Sequence, residues 1–539
     1  MTTETPRTPA AAEADVSLDP QDWEAFRALA HRMVDDSLDQ LTTLRDRPPW
    51  TPPPAEVAAA LSGEPLPRTP QGAEQVYAEF LQHVLPYAAG NRHPRFWGWM
   101  KSNGTPVGMM ADMLAASMNV NAVGMHQSAT LVELQVIKWL AEAMGFPVGS
   151  SGIMASGGTM ANVIGLAVGR NARAGFDVRQ QGLWGQPRLT VYGSVETHSW
   201  VTKCLELMGM GRESFRAVPV GDDFRVDVAA MRRMITADRA AGLRPICVIG
   251  TAGTINTGAI DDLDAIADLA LEEGLWFHVD GAVGSLGVLS PTLQPMFRGQ
   301  SRADSLAFDL HKWGYLPYEV ACVLVRDAKA HRDTFATQAS YLKTEERGVL
   351  AGGLVFAERG VELSRNFKAL KAWMALKAEG TERIAAIMEQ NVAQVRRFGA
   401  EVATLPDVTL ASPVSLNIAC WRVTPAGTTP EQQDQLTREV LLRLQEMGVA
   451  VCSSTVLRGR TVIRVAAANH RSRWADFETL LAALPAVIAS VKEMGNSPAG
   501  AGLLKWELVA GLLVLGSVLL CGLPLLITIP LGGILVQQY

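Results

Sequence analysis

The chain has 539 residues, 48% hydrophobic and 19% charged, with a net charge of −6. That length can bury a large core and supports two or more folded units, and the slight acidity gives no basis for nucleic-acid binding. Cys204, Cys247, Cys322, Cys420, Cys452 and Cys521 stand far apart without a C-x-x-C pair, so neither a disulfide framework nor a structural zinc site is indicated; no metal is expected, and a reducing compartment fits.

The first residues, "MTTETPRTPAAAEADVS", are polar and Pro/Ala-rich and lack the basic-then-apolar layout of a signal peptide, so residues 1–20 read as a disordered leader. Residues 21–92 read as a helical segment. From 93 to 375 the pattern is alternating α/β. "RLTVYGS" (188–194), "RPICVIGT" (244–251), "LWFHVD" (275–280) and "VACVLVRD" (320–327) are short apolar, β-branched runs, and "DDLDAIADLALEEG" (261–274) between two of them has helical spacing behind acidic residues. This predicts a mostly parallel sheet covered by helices, with ligands gathering at the carboxyl ends of its strands. Residues 376–494 read as a smaller α+β domain: helices near 377–400, at 430–448 and at 475–494, and a strand pair around "VAVCSSTVLRGRTVIRVAAA".

After a linker at 495–505, Leu508 to Val536 runs 29 residues without a charge, where a helix needs only about 20 to cross the hydrocarbon core. Residues 506–536 therefore read as a C-terminal membrane anchor. Trp506 suits an interfacial position, and Lys492 and Lys505 precede the segment with nothing basic after it, which places the main body on the cytoplasmic side. Pro524, Pro530 and five glycines point to a kinked span or a re-entrant hairpin, and the competing reading is a buried core segment.

Polar residues at strand ends are the candidate site. "GIMASGGTMANV" sets Ser156, Gly157, Gly158 and Thr159 at the start of a helical pattern, the arrangement that aims backbone N–H groups at a phosphate. "FHVDGAVGS" ends a strand at Asp280, "VETHSW" brings in His198, and "DLHKW" sets Lys312 between a histidine and a tryptophan. Taken singly, each has a plain explanation: a glycine turn, an Asp capping a loop, a structural histidine, a surface lysine. Together they are what pyridoxal phosphate needs: a phosphate cradle, a carboxylate for the pyridine nitrogen, a flat side chain to stack on the ring, and an amine for the aldehyde.

The order Gly157-Gly158-Thr159, His198, "GTAGTINTGAIDD", "HVDGA", "DLHKW" resembles the group II pyridoxal-phosphate decarboxylases, which include the aromatic-amino-acid, histidine and glutamate decarboxylases. The likeness runs from "HPRFWGWM" at 93 to "TVIRVAAANHRSRW" at 474. It implies a fold-type I pyridoxal-phosphate enzyme, a homodimer with its sites between subunits, and decarboxylation of an L-amino acid to the amine. It makes Lys312 the Schiff-base lysine, Asp280 the partner of the pyridine nitrogen and His198 the stacked imidazole. Ala282 becomes the small residue on the other face of the ring, Thr251 a hydroxyl supporting the ring substituents, and His311 with Gly157, Gly158 and Thr159 the phosphate contacts. Phe96, Trp97 and Trp99 fall in the substrate-entry segment and would favour an aromatic side chain; the plain alternative for these rings is core or dimer interface.

Three positions depart from the family. Met160 stands where Glu or Gln is frequent, Asp309 where many relatives have Asn, and the loop tyrosine expected after "YLK" is missing, since no tyrosine occurs between Tyr341 and Tyr539. Counting back from "SRNF" without a gap puts Phe356 at that position, and a shift of three puts Arg359 there. In relatives, phenylalanine at this point goes with oxygen consumption and an aldehyde product. Alternatives to plain decarboxylation are thus decarboxylation-coupled oxidative deamination, another pyridoxal-phosphate carbon–carbon lyase, and a non-catalytic membrane-tethered binding protein of the same fold.

Overall fold

The computed structural model describes residues 16–337, 345–349, 351 and 354–496. Seven short apolar runs make the central sheet: β1 (Ser151–Ala155), β2 (Leu189–Ser194), β3 (Phe215–Val218), β4 (Arg244–Thr251), β5 (Trp276–Asp280), β6 (Ser305–Asp309) and β7 (Ala321–Val325), in the spatial order β1-β7-β6-β5-β4-β2-β3. Five of them, β1, β2, β5, β6 and β7, are buried at every position, as a sheet covered on both faces requires, which is why they read as unbroken hydrophobic runs. The covering helices have legible ends. Leu263–Glu273 is capped by the Asp262 carboxylate, which accepts from the Ala265 N–H, and stops at Gly274 in the left-handed region (φ 64°).

The sheet is mixed, and here the expectation of a mostly parallel sheet needs correction at one strand. β2 to β6 pair in parallel, but β7 runs antiparallel to both β6 and β1. Between Asp309 and Ala321 the chain forms a loop without a regular helix, too short for the crossover that would return it to the start of the sheet. β7 therefore runs straight back beside β6. Because β1 is antiparallel to β7 in turn, β1 to β6 all present their carboxyl ends at the same edge.

A second sheet, β8 (Val408–Leu410), β9 (Ile418–Val423), β10 (Ser453–Leu457) and β11 (Arg460–Ala466), is antiparallel in the order β10-β11-β9-β8. Helices Pro430–Glu446 and Trp474–Asn496 cover it; the first opens with a capping box between Thr429 and Gln432. The expected division at 375/376 falls inside one long helix, Ala369–Val402, whose regular geometry breaks at Gly380 (φ 70°). It packs on the large core through Ala372 and Ala375 before the break and Met388 after it, and its last turns enter the small-domain core through Val395, Phe398 and Val402.

Among the described residues one helix, Trp474–Glu493, is long and apolar enough to cross a membrane. Its Phe477, Leu480, Leu484, Val487, Ile488 and Val491 are buried in the small-domain core, so packing accounts for its composition. The leader up to residue 15, Tyr341 and the hydrophobic stretch 506–536 lie outside the described residues.

Candidate active site

One cavity at the shared strand edge is lined by Gly158, Thr159, Asn162, Glu196, His198, Trp200, Thr251, Gly253, Ile255, Asp280, Ala282, Val283 and Lys312. The strand order explains the meeting: β1 ends at the Gly157 turn, β2 leads to His198, β4 ends at Thr251, β5 at Asp280 and β6 at Asp309, three residues before Lys312.

The Gly157 turn opens the helix Gly158–Arg173, so the first N–H groups of that helix face the cavity without intrahelical partners. Gly158 is glycine by necessity. A Cβ there would come 2.7 Å from Asp309 Oδ2 and 3.1 Å from the Ala282 methyl. Thr159 is exposed beside it. His311 borders the same turn, with its Cε1 3.9 Å from where a Cβ on Gly157 would lie, and its Nδ1 is 3.0 Å from the Val320 carbonyl oxygen. Burial pushes the His311 imidazole below the ordinary histidine range, against the pull of Asp309.

Asp280 is 5% exposed, which would be costly for a carboxylate without donors. Trp200 Nε1 donates to Oδ2 at 2.6 Å and the Ala282 N–H to Oδ1 at 3.1 Å, which fixes the direction of the group. His198 lies at the open rim, where its Nδ1 accepts from the Trp200 N–H at 3.2 Å. Its pKa is lowered, first by desolvation on its pocket side and then by Lys312 and Lys203, with Asp280 opposing. Thr251 is tied through its backbone N–H to the buried Asp261 (2.8 Å), while its Oγ1 has no partner among the described residues. Lys312, with its side chain 20% exposed, sets Nζ 2.7 Å from Asp309 Oδ2.

The entry-segment aromatics separate. Trp97, one of the expected pocket residues, is fully buried in the small-domain core; it stacks on Phe477 at 4.3 Å and donates from Nε1 to Ser472 Oγ at 3.1 Å. That corrects its assignment, because no face of the ring is left for a substrate. Phe96 is buried beside Val451, whereas Trp99 is 49% exposed with Lys101 Nζ 5.3 Å from its ring centre. Phe356 is fully buried in a short 3-10 turn, Phe356–Arg359, under the guanidinium groups of Arg365 (5.0 Å) and Arg359 (5.6 Å).

Sequence reasoning missed the layer behind the cavity. Buried His278 joins Asn162 Oδ1 (2.7 Å) to Ser305 Oγ (2.8 Å), and Ser305 also accepts from Trp276 Nε1. Burial lowers the His278 pKa to about 4, so this ring, two residues before Asp280 on β5, is a neutral link between Asn162 and Ser305. One signal was available: Asn162 lies four residues after Gly158, on the same helix face.

These residues fit pyridoxal phosphate on structural grounds. The cavity has an unpartnered buried hydroxyl at Thr251, a carboxylate aimed by two donors, a helix start stripped of side-chain bulk, and a lysine amine.

Residues 54–424 match the family model of the pyridoxal-dependent decarboxylase conserved domain. Similar chains include an aromatic-L-amino-acid decarboxylase of Bacillus atrophaeus, 30% identical over 471 residues (87% of this chain, 96% of the relative). A phenylacetaldehyde synthase of Arabidopsis thaliana is 25% identical over 460 residues (83% and 93%). Among solved structures, Oryza sativa TDC with PLP and tryptamine superposes with a TM-score of 0.80 at 25% identity, covering 88% of this chain and 99% of that one.

Proposed function

Because the chain belongs to the pyridoxal-dependent decarboxylase family, we propose that it converts an aromatic L-amino acid to its amine, with Lys312 as the cofactor-bearing lysine. The protein is a carboxy-lyase that uses pyridoxal phosphate and acts on an amino acid. What supports the residue roles is a single observation: Lys312, Asp280, His198 and Thr251 face one cavity together with the helix start at Gly158. The aromatic preference rests on relatives named as tyrosine and tryptophan decarboxylases.

Pyridoxal phosphate, when bound, supplies an electron-poor ring that takes up the pair left as carbon dioxide departs. In this reading the N–H groups opening Gly158–Arg173, with Thr159 and His311, hold the phosphate. Asp280, aimed by Trp200 and the Ala282 N–H, is the acceptor that keeps a proton on the pyridine nitrogen. His198 offers a flat face to one side of the ring, Ala282 leaves room on the other, and the Thr251 hydroxyl donates to a ring substituent. Borohydride reduction of the yellow holoenzyme followed by peptide mapping tests the assignment: the label should sit on Lys312 and vanish in Lys312→Ala. A label on another lysine would refute it.

The finer product is a second reading. No tyrosine follows Tyr341 until Tyr539, and the side chain counted to the family's proton-donor position, Phe356, has no proton to give. An aldehyde product is favoured by that gap and by the likeness to a phenylacetaldehyde synthase. The burial of Phe356 in its own subunit favours the amine, because it makes this ring part of the core in place of a loop that reaches a site. Amine, aldehyde and peroxide measured together under air, for wild type and Phe356→Tyr, separate the two. Amine alone from both removes the oxidative reading.

We further propose a homodimer, anchored through residues 506–536 with its catalytic part on the cytoplasmic side. A chain ending at Asn496 should then be a soluble, active dimer, and the full chain should resist carbonate extraction from membranes. Full-length protein that stays in solution without detergent would defeat the anchor.

A further inference from the structure

Asp309 has no role in the reading above, and its surroundings are unusual. It closes β6 with its side chain 1% exposed. Oδ2 is 2.7 Å from Lys312 Nζ, and Oδ1 is 3.7 Å from His311 Nδ1, which is already engaged with the Val320 carbonyl. Among the described residues no other hydrogen-bond donor reaches either oxygen. The carboxylate also abuts the helix start, since it is the atom a Cβ on Gly158 would strike. A buried carboxylate in this condition depends on its one cation.

We propose that Asp309 sets the charge of Lys312: it holds the free side chain as an ammonium ion and so governs how readily the nitrogen becomes the neutral nucleophile that attachment to an aldehyde requires. It acts through Lys312 and is a positioning residue. The inference rests on Lys312 being the cofactor lysine. Other groups facing Lys312 are Asp280 from β5, His198 from the segment after β2, and His311 and Tyr318 from its own loop. Burial alone would lower the Lys312 pKa; Asp309 first, then Asp280 and the Tyr318 phenol, outweigh it and leave the amine above the ordinary lysine value.

The test uses the full chain freed of cofactor, labelled briefly with acetic anhydride over a pH series, with acetylation of Lys312 read by peptide mass mapping. In the wild type, Lys312 should react with a midpoint at or above that of exposed lysines in the same digest. Asp309→Asn, which keeps the shape and removes the charge, should lower that midpoint by about one pH unit or more and speed attachment of added pyridoxal phosphate near neutral pH by about tenfold. Identical midpoints in the two proteins overturn the proposal. So does a wild-type midpoint clearly below the exposed lysines, a comparison that stands if Asp309→Asn does not fold. The borohydride map reports separately on Lys312 as the cofactor lysine, so the two readings fail independently.

Discussion

Glu133→Gln should be among the most damaging conservative changes outside the cavity. Glu133, fully buried on the helix Ser128–Ala143, accepts from Arg365 Nη2 at 2.6 Å and Nη1 at 3.3 Å, and from the Met154 N–H at 3.0 Å. Arg365 is equally buried and also donates to the carbonyls of Ala122 (2.6 Å) and Met154 (2.8 Å). At 2.6 Å the gross attraction is about 6 kcal/mol for an effective dielectric constant of about 20. Glutamine removes that charge and turns an NH2 toward a guanidinium that has no route to water. Breaking a buried pair from one side costs about 3–5 kcal/mol. Urea unfolding followed by tryptophan fluorescence, comparing midpoint and slope, should show a loss of that order. An exposed pair makes the control: Arg383→Ala, which removes the bridge to Glu379, should cost less than about 1 kcal/mol. The double change Glu133→Leu with Arg365→Met removes the stranded charge but leaves the Met154 N–H and the Ala122 and Met154 carbonyls without these partners, so it should recover only part of the loss. A Glu133→Gln effect below about 1 kcal/mol would show that the pair does not hold the segment around Met154 to the helix.

Three further outcomes are expected. Gly158→Ala forces a methyl group against Asp309 and Ala282, at 2.7 and 3.1 Å, and should weaken pyridoxal phosphate binding by about tenfold or more in equilibrium titration; unaltered affinity would mean the cradle lies elsewhere. Asp280→Asn should retain the fold but reduce amino acid turnover by about 10²-fold or more, since an amide cannot stabilise a positive charge on the pyridine nitrogen; near-normal turnover with cofactor bound would contradict its role. Burial holds His93, His278, His331 and His470 at about 4 in the folded protein, so on acidification the unfolded chain takes up those protons first, near its ordinary value of about 6.5. Stability from these groups is complete above that value and lost as pH falls towards about 4; Asp261, raised to about 6, offsets part of it in the opposite sense. The thermal midpoint should therefore drop across this window, and a flat or rising midpoint would refute the balance.

Thr251 and Asp280 were legible because each closes an apolar run, and the sheet brings such strand ends to one edge. "RPICVIGT" and "LWFHVD" became β4 and β5 with Thr251 and Asp280 as their last residues. The direction of β7 was not legible from its composition, because a strand buried on both faces reads the same either way; loop length held that information. Trp97 was misplaced for a related reason. Its neighbours in sequence are at the entry segment, but its partners, Phe477 and Ser472, come from far down the chain. Glu133 and Arg365 likewise lie on separate elements with nothing local to mark them as a pair.

The strand order also has a temporal consequence. Among the described residues β1, which delivers the Gly157 turn, pairs within its sheet with β7 and no other strand, and Ala155 faces Ala321 across that pairing. The turn is thus synthesised early but has no sheet neighbour until Val325 has left the ribosome. Such distant pairings fold slowly, because the intervening chain must be ordered first. During synthesis the β2 to β6 block can assemble with Asp280 and Thr251 in register while the Gly157 turn still lacks its paired strand. A nascent chain halted before Val325 would carry Thr251, Asp280 and Lys312 without a paired β1, and should hold pyridoxal phosphate more weakly than the finished chain.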